Sequence, residues 1–502
     1  MNNWIQQLKE AGADAKATLI ETAFWNKSIR SVAFRQLEKH IRTSNNDFAD
    51  PKRPPRVAQD CADIIRALFS SSLRTLDRKL ISRPFLRNGI RALMGSNYLY
   101  GEELKNIFQR FGERHGGKEP PWTIVISPTK ACNLRCTGCY ANADEKCAEH
   151  LEWDLFDRII TEAKTLWGIR FFTISGGEPF AYRSQGKTLL DAAAKHQDCF
   201  FMAYTNGTLI DKAVAGRIAE LGNLSPAISV EGMEAATDKR RGAGVFQRVL
   251  GAMSNLRKAR VPFGISLTAT RLNAEELLSD DFIDYFFNEQ KATYGWLFQY
   301  MPIGRGYTLD LLPTPEQRVW MWKRVWDIIR DREIFIADFW NCGTVSEGCI
   351  AGGKGYLYID WNGKVMPCVF VPYSTASIRD IYRDGKTLDD VYDLKYFQGI
   401  RNWQTDYALG KEKPEEVGNW LIPCSFRDHY KIGRELVHLC NAQPENQDAA
   451  DALVDEDYQN GMIAYDEALH KAFDPIWEKE YLLGHRLAPE PLVRIDGVSS
   501  HV

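Results

Sequence analysis

Residues 131–140 read Ala131-Cys132-Asn133-Leu134-Arg135-Cys136-Thr137-Gly138-Cys139-Tyr140, and the C-x3-C-x2-C spacing inside them decides how the chain is read. Three thiolates this close can hold three irons of a [4Fe-4S] cluster. Such clusters are ordinarily held by four cysteines, so the fourth iron would stay open for a ligand that docks there. A structural zinc ion wants four ligands in C-x2-4-C pairs. The next cysteine, Cys147, stands eight residues on, a poor zinc spacing.

Working outward, the bulk composition removes several classes. A chain of 502 residues has room for two or three domains. Its net charge of −3, with 26% charged residues, gives no pull toward nucleic acid, and no nucleic-acid partner is expected. Residues 1–6 lack the basic start and apolar run of a secretory signal. No apolar run is long enough to span a membrane. Eleven cysteines in such a chain point to metal ligation in a reducing, cytoplasmic compartment rather than to disulfides.

The first part of the chain has helical texture: Trp4, Ile5, Leu8, then Leu19, Ile20, Ala23, Phe24, and after the breakers Pro51, Pro54 and Pro55 a run with Ile64, Ile65, Leu68 and Phe69. Gly116-Gly117 and Pro120-Pro121 read as a linker. From Trp122 the pattern changes to short β-rich runs at 122–127, 170–175, 199–204, 227–231, 263–270 and 296–301, separated by helix-length segments such as 153–167 and 245–260. Six strands alternating with helices imply βα units and a parallel sheet, an α/β fold. A helix near 316–330, a cysteine-bearing segment and a charged helical tail should follow.

Short motifs close these strands. The second run ends in Gly176-Gly177-Glu178-Pro179, the third in Thr205-Asn206-Gly207-Thr208, and the fourth in Ser229-Val230-Glu231-Gly232, with Lys239-Arg240-Arg241-Gly242 beyond. Alone, the first is an ordinary strand-to-helix turn and the last a solvated charge cluster. Together with the cysteine triplet they resemble the radical S-adenosylmethionine (SAM) enzymes.

That resemblance implies a partial (βα)6 barrel with its chemistry at the C-terminal ends of the strands. The open iron would be chelated by the amino and carboxylate groups of S-adenosyl-L-methionine. Reductive cleavage would give a 5′-deoxyadenosyl radical that abstracts hydrogen from substrate, with an electron donor such as flavodoxin or ferredoxin. Tyr140 is implied at the adenine, and backbone groups of Gly176, Gly177 and Glu178 at the ammonium. Thr205 and Asn206 fall on the ribose side, with Ser229 and Glu231 facing the barrel interior. One of Arg240 and Arg241, assigned to Arg241, would neutralise the carboxylate, where bidentate geometry favours arginine. Gln299, Tyr300 and Arg305 are expected near the substrate, and no catalytic acid or base stands out.

A second cysteine set follows. Cys349 and Gly363-Lys364-Val365-Met366-Pro367-Cys368 resemble the C-xn-G-x4-C signature of the SPASM domain, or of its reduced Twitch form. Residues 356–360 and 364–366 should pair as a hairpin around Trp361-Asn362-Gly363, since Asn-Gly favours tight turns. The C-x2-C-x5-C-x3-C run of a full SPASM domain is missing. One auxiliary [4Fe-4S] cluster is therefore expected, on Cys342, Cys349, Cys368 and Cys424, with Cys440 as substitute. Cys61, Cys147 and Cys199 have no partners at metal spacing. The expected division is 1–118, a helical N-terminal region; 119–312, the (βα)6 barrel; 313–442, a small α+β SPASM/Twitch-like domain; and 443–502, a helical tail.

The substrate is not written in the sequence: a peptide or protein, a lipid or another metabolite all fit the resemblance. Between Leu73 and Met94, six basic residues (Arg74, Arg78, Lys79, Arg83, Arg87, Arg91) face one acid, Asp77. Such a stretch either packs on the barrel with a solvated basic edge or lies peripherally on the inner membrane face. Rival readings are a non-catalytic iron–sulfur electron-transfer protein and a cobalamin-dependent radical methyltransferase. The adenosine-type loops speak against the first, and the lack of alternating strands before residue 115 against the second.

Overall fold

The computed structural model describes residues 50–93 and 101–483, with a few positions between 21 and 32. The apolar pattern of Trp4 to Ala23 lies outside the described residues.

Six strands form a parallel run in chain order: β1 (Thr123–Ile126), β2 (Phe171–Ile174), β3 (Phe200–Thr205), β4 (Leu224–Val230), β5 (Gly264–Ala269) and β6 (Tyr294–Gln299). The α/β expectation is borne out. Each is covered by helices on one face and lines a cavity with the other, so the strands read as near-continuous apolar runs. The register aligns Val125 with Thr173, Ser229 with Ser266, and Thr268 with Phe298. All six of these line the central cavity, at the two-residue period of a strand.

The covering helices follow from sequence. Trp153–Trp167 buries Phe156, Ile159, Ile160, Ala163 and Trp167, one face of an α-helix, and stops at Gly168, where φ is +72°. A Cβ at Gly168 would stand 2.5 Å from Leu104, so this cap also seats the helix Gly101–Arg114.

The sheet continues past the six strands on both sides. After the helix Pro315–Asp331, strand β7 (Ile336–Asp338) pairs in parallel with β6. At the other edge, β8 (Tyr358–Ile359) pairs in parallel with β1 and turns back antiparallel as β9 (Lys364–Met366). The Asn-Gly hairpin is therefore present: Gly363 has φ +78°, and Oδ1 of Asp360 accepts from the amides of Asn362 and Lys364 at 2.9 and 2.7 Å. Three short pieces complete the strands: β10 (Tyr373–Ser374) pairs with β12 (Gln443–Pro444), and β11 (Ala376–Ser377) with β9. Thus the segment with the second cysteine set flanks the barrel at both ends of its sheet.

The first described long helix, Pro55–Asp77, binds the outside of this body. Arg330 reaches Asp60 at 2.9 Å and Asp63 at 2.8 Å, and fully buried Asp60 also accepts from Tyr481 and Thr344. The basic stretch is largely consumed here. Arg74 donates to the carbonyls of Arg332 and Glu333, Arg78 to that of Phe287, and Arg87 pairs with Glu21. Among the described residues, no helix is long and apolar enough to cross a membrane.

Candidate active site

The loop after β1 carries Cys132, Cys136 and Cys139 and is tied into shape by its own backbone. The amide of Cys132 donates to Asp144 at 3.1 Å and that of Asn142 to Cys139 at 3.1 Å. A second clamp was not foreseen. Arg305, expected in the substrate pocket, does not line the cavity. It donates instead to the carbonyls of Cys136 and Ala143, each at 2.8 Å, and to Oδ1 of Asn142 at 3.1 Å. Beside it, a Cβ on Gly304 would fall 2.4 Å from the Tyr140 carbonyl. The Pro302–Arg305 turn is thus a brace for the cysteine loop, 163 residues away in sequence from Asn142.

The glycine pair after β2 has a structural reason on this same loop. A Cβ at Gly176 would meet the Thr129 carbonyl at 2.6 Å, and one at Gly177 the carbonyls of Ala131 and Lys130 at 2.3 and 2.4 Å. These are backbone atoms, so only glycine permits the approach. The amides of Gly177 and Glu178 donate to Thr129 and Ala131 at 2.9 and 2.8 Å. Tyr140 joins the two loops: its hydroxyl lies 2.6 Å from Oγ of Ser175 and accepts from the Gly176 amide at 3.0 Å.

Two predicted carboxylates face away from the cavity. Glu178 is fully buried and accepts from Thr205 Oγ1 at 2.7 Å, the Asn206 amide at 2.8 Å and the Phe180 amide at 3.1 Å. It organises the loop after β3 rather than offering its side chain to a ligand. Burial raises its pKa despite these donors. Glu231 is held by both arginines, by Nη1 of Arg240 at 2.6 Å and by Nε of Arg241 at 2.9 Å. The arginines, with Tyr140, Gly176, Gly177, Thr205, Asn206 and Ser229, do line the cavity. Arg241 therefore reaches the cavity with its charge already countered. Asn206 sits closest to the cysteines: its amide nitrogen is 3.8 Å from Sγ of Cys132 and 2.9 Å from Oδ1 of Asn133.

Cys342, Cys349, Cys368 and Cys424 line the same cavity, which measures about 500 Å³. Cys342 follows β7, and Cys368 follows β9. Sγ of Cys368 accepts from Tyr356 Oη at 2.7 Å and from the Phe370 amide at 3.4 Å. Cys424 is anchored by its amide on buried Asp428 at 3.2 Å. Cys440 does not line the cavity: it caps the helix Tyr430–Leu439, which removes the substitute. Cys61, Cys147 and Cys199 are likewise apart from it, and Cys199 is core. Between the two cysteine sets lies an aromatic group. The Phe370 ring is 6.1 Å from Tyr140, 5.7 Å from Phe298 and 5.0 Å from Trp340. Gln299 and Tyr300 also line the cavity, Gln299 being fixed by Asp338 at 3.0 Å and by Arg427 at 3.2 Å.

The thiols are costly to ionise as they stand. Burial pushes Cys132 and Cys424 up to about 12. It raises Cys342 and Cys368 too, and the remaining thiols near Cys368 add to the effect there. A metal must replace each proton for these groups to act as ligands. Zinc fits poorly: a tetrahedral Zn–S site needs sulfurs within about 3.8 Å of one another. Among the described residues, no three cysteine sulfurs lie within even 4.8 Å of one another. A cube of irons and sulfides spreads its ligands more widely than a single zinc ion does.

Residues 126–279 match the Radical SAM superfamily, a span that begins at the end of β1 and takes in the cysteine loop and both glycine-bearing loops. The barrel carries a radical SAM domain. Enzymes of this superfamily work with a [4Fe-4S] cluster and S-adenosyl-L-methionine. The enzyme is 27% identical over 289 residues to the AdoMet-dependent heme synthase of Methanosarcina barkeri, covering 52% of this chain and 80% of that one. It is 26% identical over 370 residues to the AdoMet-dependent heme synthase of Oleidesulfovibrio alaskensis, covering 65% and 89%. It is also 26% identical to the sporulation killing factor maturation protein SkfB of Bacillus subtilis, over 31% of this chain and 38% of that protein.

Proposed function

We propose that Cys132, Cys136 and Cys139 hold the cluster at which S-adenosyl-L-methionine docks, and that Cys342, Cys349, Cys368 and Cys424 hold one auxiliary [4Fe-4S] cluster. When bound, the first cluster and the sulfonium supply the 5′-deoxyadenosyl radical that takes hydrogen from substrate. Tyr140, Ser229, Thr205 and Asn206 line the cavity and orient the adenosine side. The backbone of Gly176 and Gly177 borders the amino-acid part. Glu178 and Glu231 act through the groups they hold: Glu178 through Thr205 and Asn206, Glu231 through the arginines. With four side-chain ligands, the auxiliary site leaves no iron open to substrate. The observation that carries this reading is a single cavity lined by both cysteine sets and by the predicted loops.

We further infer that the substrate is a planar tetrapyrrole. The two heme synthases align over most of their own length, whereas SkfB aligns over 38% of its own. The aromatic wall of Phe298, Trp340 and Phe370 suits a flat macrocycle, because aromatic faces stack. The test uses anaerobically reconstituted enzyme with dithionite and S-adenosyl-L-methionine, with Fe-coproporphyrin III, a peptide pool or phospholipid vesicles added separately. The tetrapyrrole should raise 5′-deoxyadenosine above the uncoupled background. Stimulation by peptides or vesicles alone would overturn the substrate assignment. Formation of no deoxyadenosine in any arm would overturn the larger reading.

Asn206 offers a finer test. Hydrogen bonds to cluster sulfurs help to set reduction potentials, and its amide faces Cys132 Sγ. Asn206→Leu should keep the iron and lower the potential of the first cluster by tens of mV on the order-of-magnitude scale of such bonds. A potentiometric EPR titration reads this; an unchanged midpoint would mean that the contact is idle.

A further inference from the structure

Outside the cavity, the helix Glu456–Trp477 presents Asp466, His470 and Asp474 at four-residue steps, so they share one face. His429, the residue before the helix Tyr430–Leu439, meets that face, its ring centroid 5.1 Å from that of His470. Ligand atoms of His429, Asp466 and His470 all lie within 4.8 Å of one another, and among the described residues this is the one such group of three.

The remaining hydrogen bonds leave the correct atoms free. Nε2 of His429 lies 3.0 Å from the Ile422 carbonyl, which can only accept, so the N–H is there and Nδ1 keeps its lone pair. Nδ1 of His470 lies 3.0 Å from Asp474, whose other oxygen accepts from Asn419, so Nε2 of His470 is left 3.6 Å from Oδ1 of Asp466. That Oδ1 is buried without a hydrogen-bond partner. Metal-bound histidines commonly donate their second N–H to a carbonyl or a carboxylate, and this is the pattern of both rings. Burial holds His429 below the ordinary histidine range, favouring the neutral ring that a metal needs, whereas the hydrogen bond to Asp474 raises His470, from which an ion must displace a proton. Burial and the Asp428 charge push Asp466 up to about 7, the mark of a carboxylate lacking compensating charge.

We propose that His429, Asp466 and His470 form a mononuclear site for a divalent first-row transition ion of the zinc type, separate from both cysteine sets. Two imidazoles and one carboxylate suit such an ion, at about 2.0–2.2 Å from each ligand atom. The ligand atoms must close in by roughly 1 Å, which small rotations of the two rings provide. His470 is 36% exposed and Asp466 15% exposed, so water can complete the coordination. An ion here fastens the C-terminal helix to the segment that carries Cys424 and Asp428.

The experiment adds one to two equivalents of Zn2+ to the iron-loaded enzyme, removes the excess by gel filtration, and measures zinc and iron by mass spectrometry. Wild type should retain about one zinc per chain with its iron unchanged, and its melting temperature should rise by at least ~2 °C. His470→Gln and Asp466→Asn should lose both the zinc and the shift, while Glu467→Gln, one residue away and exposed, should keep them. Zinc-edge absorption should report nitrogen and oxygen ligands without sulfur. Zinc not retained by wild type, retained equally by the two ligand variants, or bound through sulfur would overturn the proposal. The cluster would then be a hydrogen-bonded His470 bridging two carboxylates.

Discussion

Replacing Cys132, Cys136 and Cys139 together by alanine is expected to abolish reductive cleavage of S-adenosyl-L-methionine while leaving about half of the iron in place. The argument rests on how the loop is held. Its shape depends on backbone hydrogen bonds from Cys132 to Asp144 and from Asn142 to Cys139, and on Arg305, none of which uses a sulfur. Alanine keeps all of them, so the fold should lose only about 1 kcal/mol for each exchange, about 3 kcal/mol in all, the ordinary effect of such substitutions at partly exposed sites. The second cysteine set sits across the aromatic group on separate loops and should load normally. Iron and sulfide analysis with a deoxyadenosine assay reads both halves. Iron equal to wild type would mean that the loop holds no cluster. Loss of all iron would mean that the two sets assemble as one unit, contrary to their separate supports.

How much of this was legible without coordinates varied with the distance between partners. The six barrel strands could be read to within three residues at either end because both of their faces are buried, which writes them as apolar runs. The hairpin was legible from Asn362-Gly363, and the helix Pro315–Asp331 from its apolar spacing, started by a Thr314 capping box. Strand β7 was not: Ile336-Ala337-Asp338 is too short to carry a period, and it exists because β6 offers an edge. The site divides in the same way. Residues on local motifs, the cysteines and glycines, could be named. What a side chain does with its charge could not, because the partner is remote. Glu178 was expected to serve through its backbone, and the task of its carboxylate was not readable, because the loop after β3 claims it from 27 and 28 residues away. Arg305 looked like a pocket residue, yet it serves a loop more than 160 residues earlier. Cys440 was kept as a substitute ligand, but it caps the helix Tyr430–Leu439 and does not line the cavity.

Asp428→Ala should be the most damaging single change in the C-terminal half, costing about 3–5 kcal/mol, the range for one partner removed from a buried ion pair. Asp428 is fully buried between two fully buried arginines, with Oδ1 2.8 Å from Nη1 of Arg318 and 2.8 Å from Nε of Arg427. Burial opposes its charge, but the two guanidinium groups more than offset this and hold its carboxyl well below the usual range. Without it, two cations remain in the interior. Arg318 keeps Asn341 and the Leu421 carbonyl, and Arg427 keeps Gln299 and the face of Trp340, but neither keeps a countercharge. The Cys424 amide also loses its acceptor, so the auxiliary cysteines should lose their alignment. The expected signature is a large fall in the denaturation midpoint of the anaerobic enzyme, together with loss of about half of the iron. Uncoupled deoxyadenosine formation should persist, since the cysteine loop of β1 is braced elsewhere. Asp428→Asn, which retains the shape and one acceptor oxygen but not the charge, should fall between wild type and the alanine variant. A triple variant with Arg318→Met, Arg427→Met and Asp428→Leu should recover part of the stability, because apolar groups of similar size need no partner. An unchanged midpoint in Asp428→Ala would show that water or rearranged side chains already meet the needs of both arginines, and that this charge does not organise the second cysteine set.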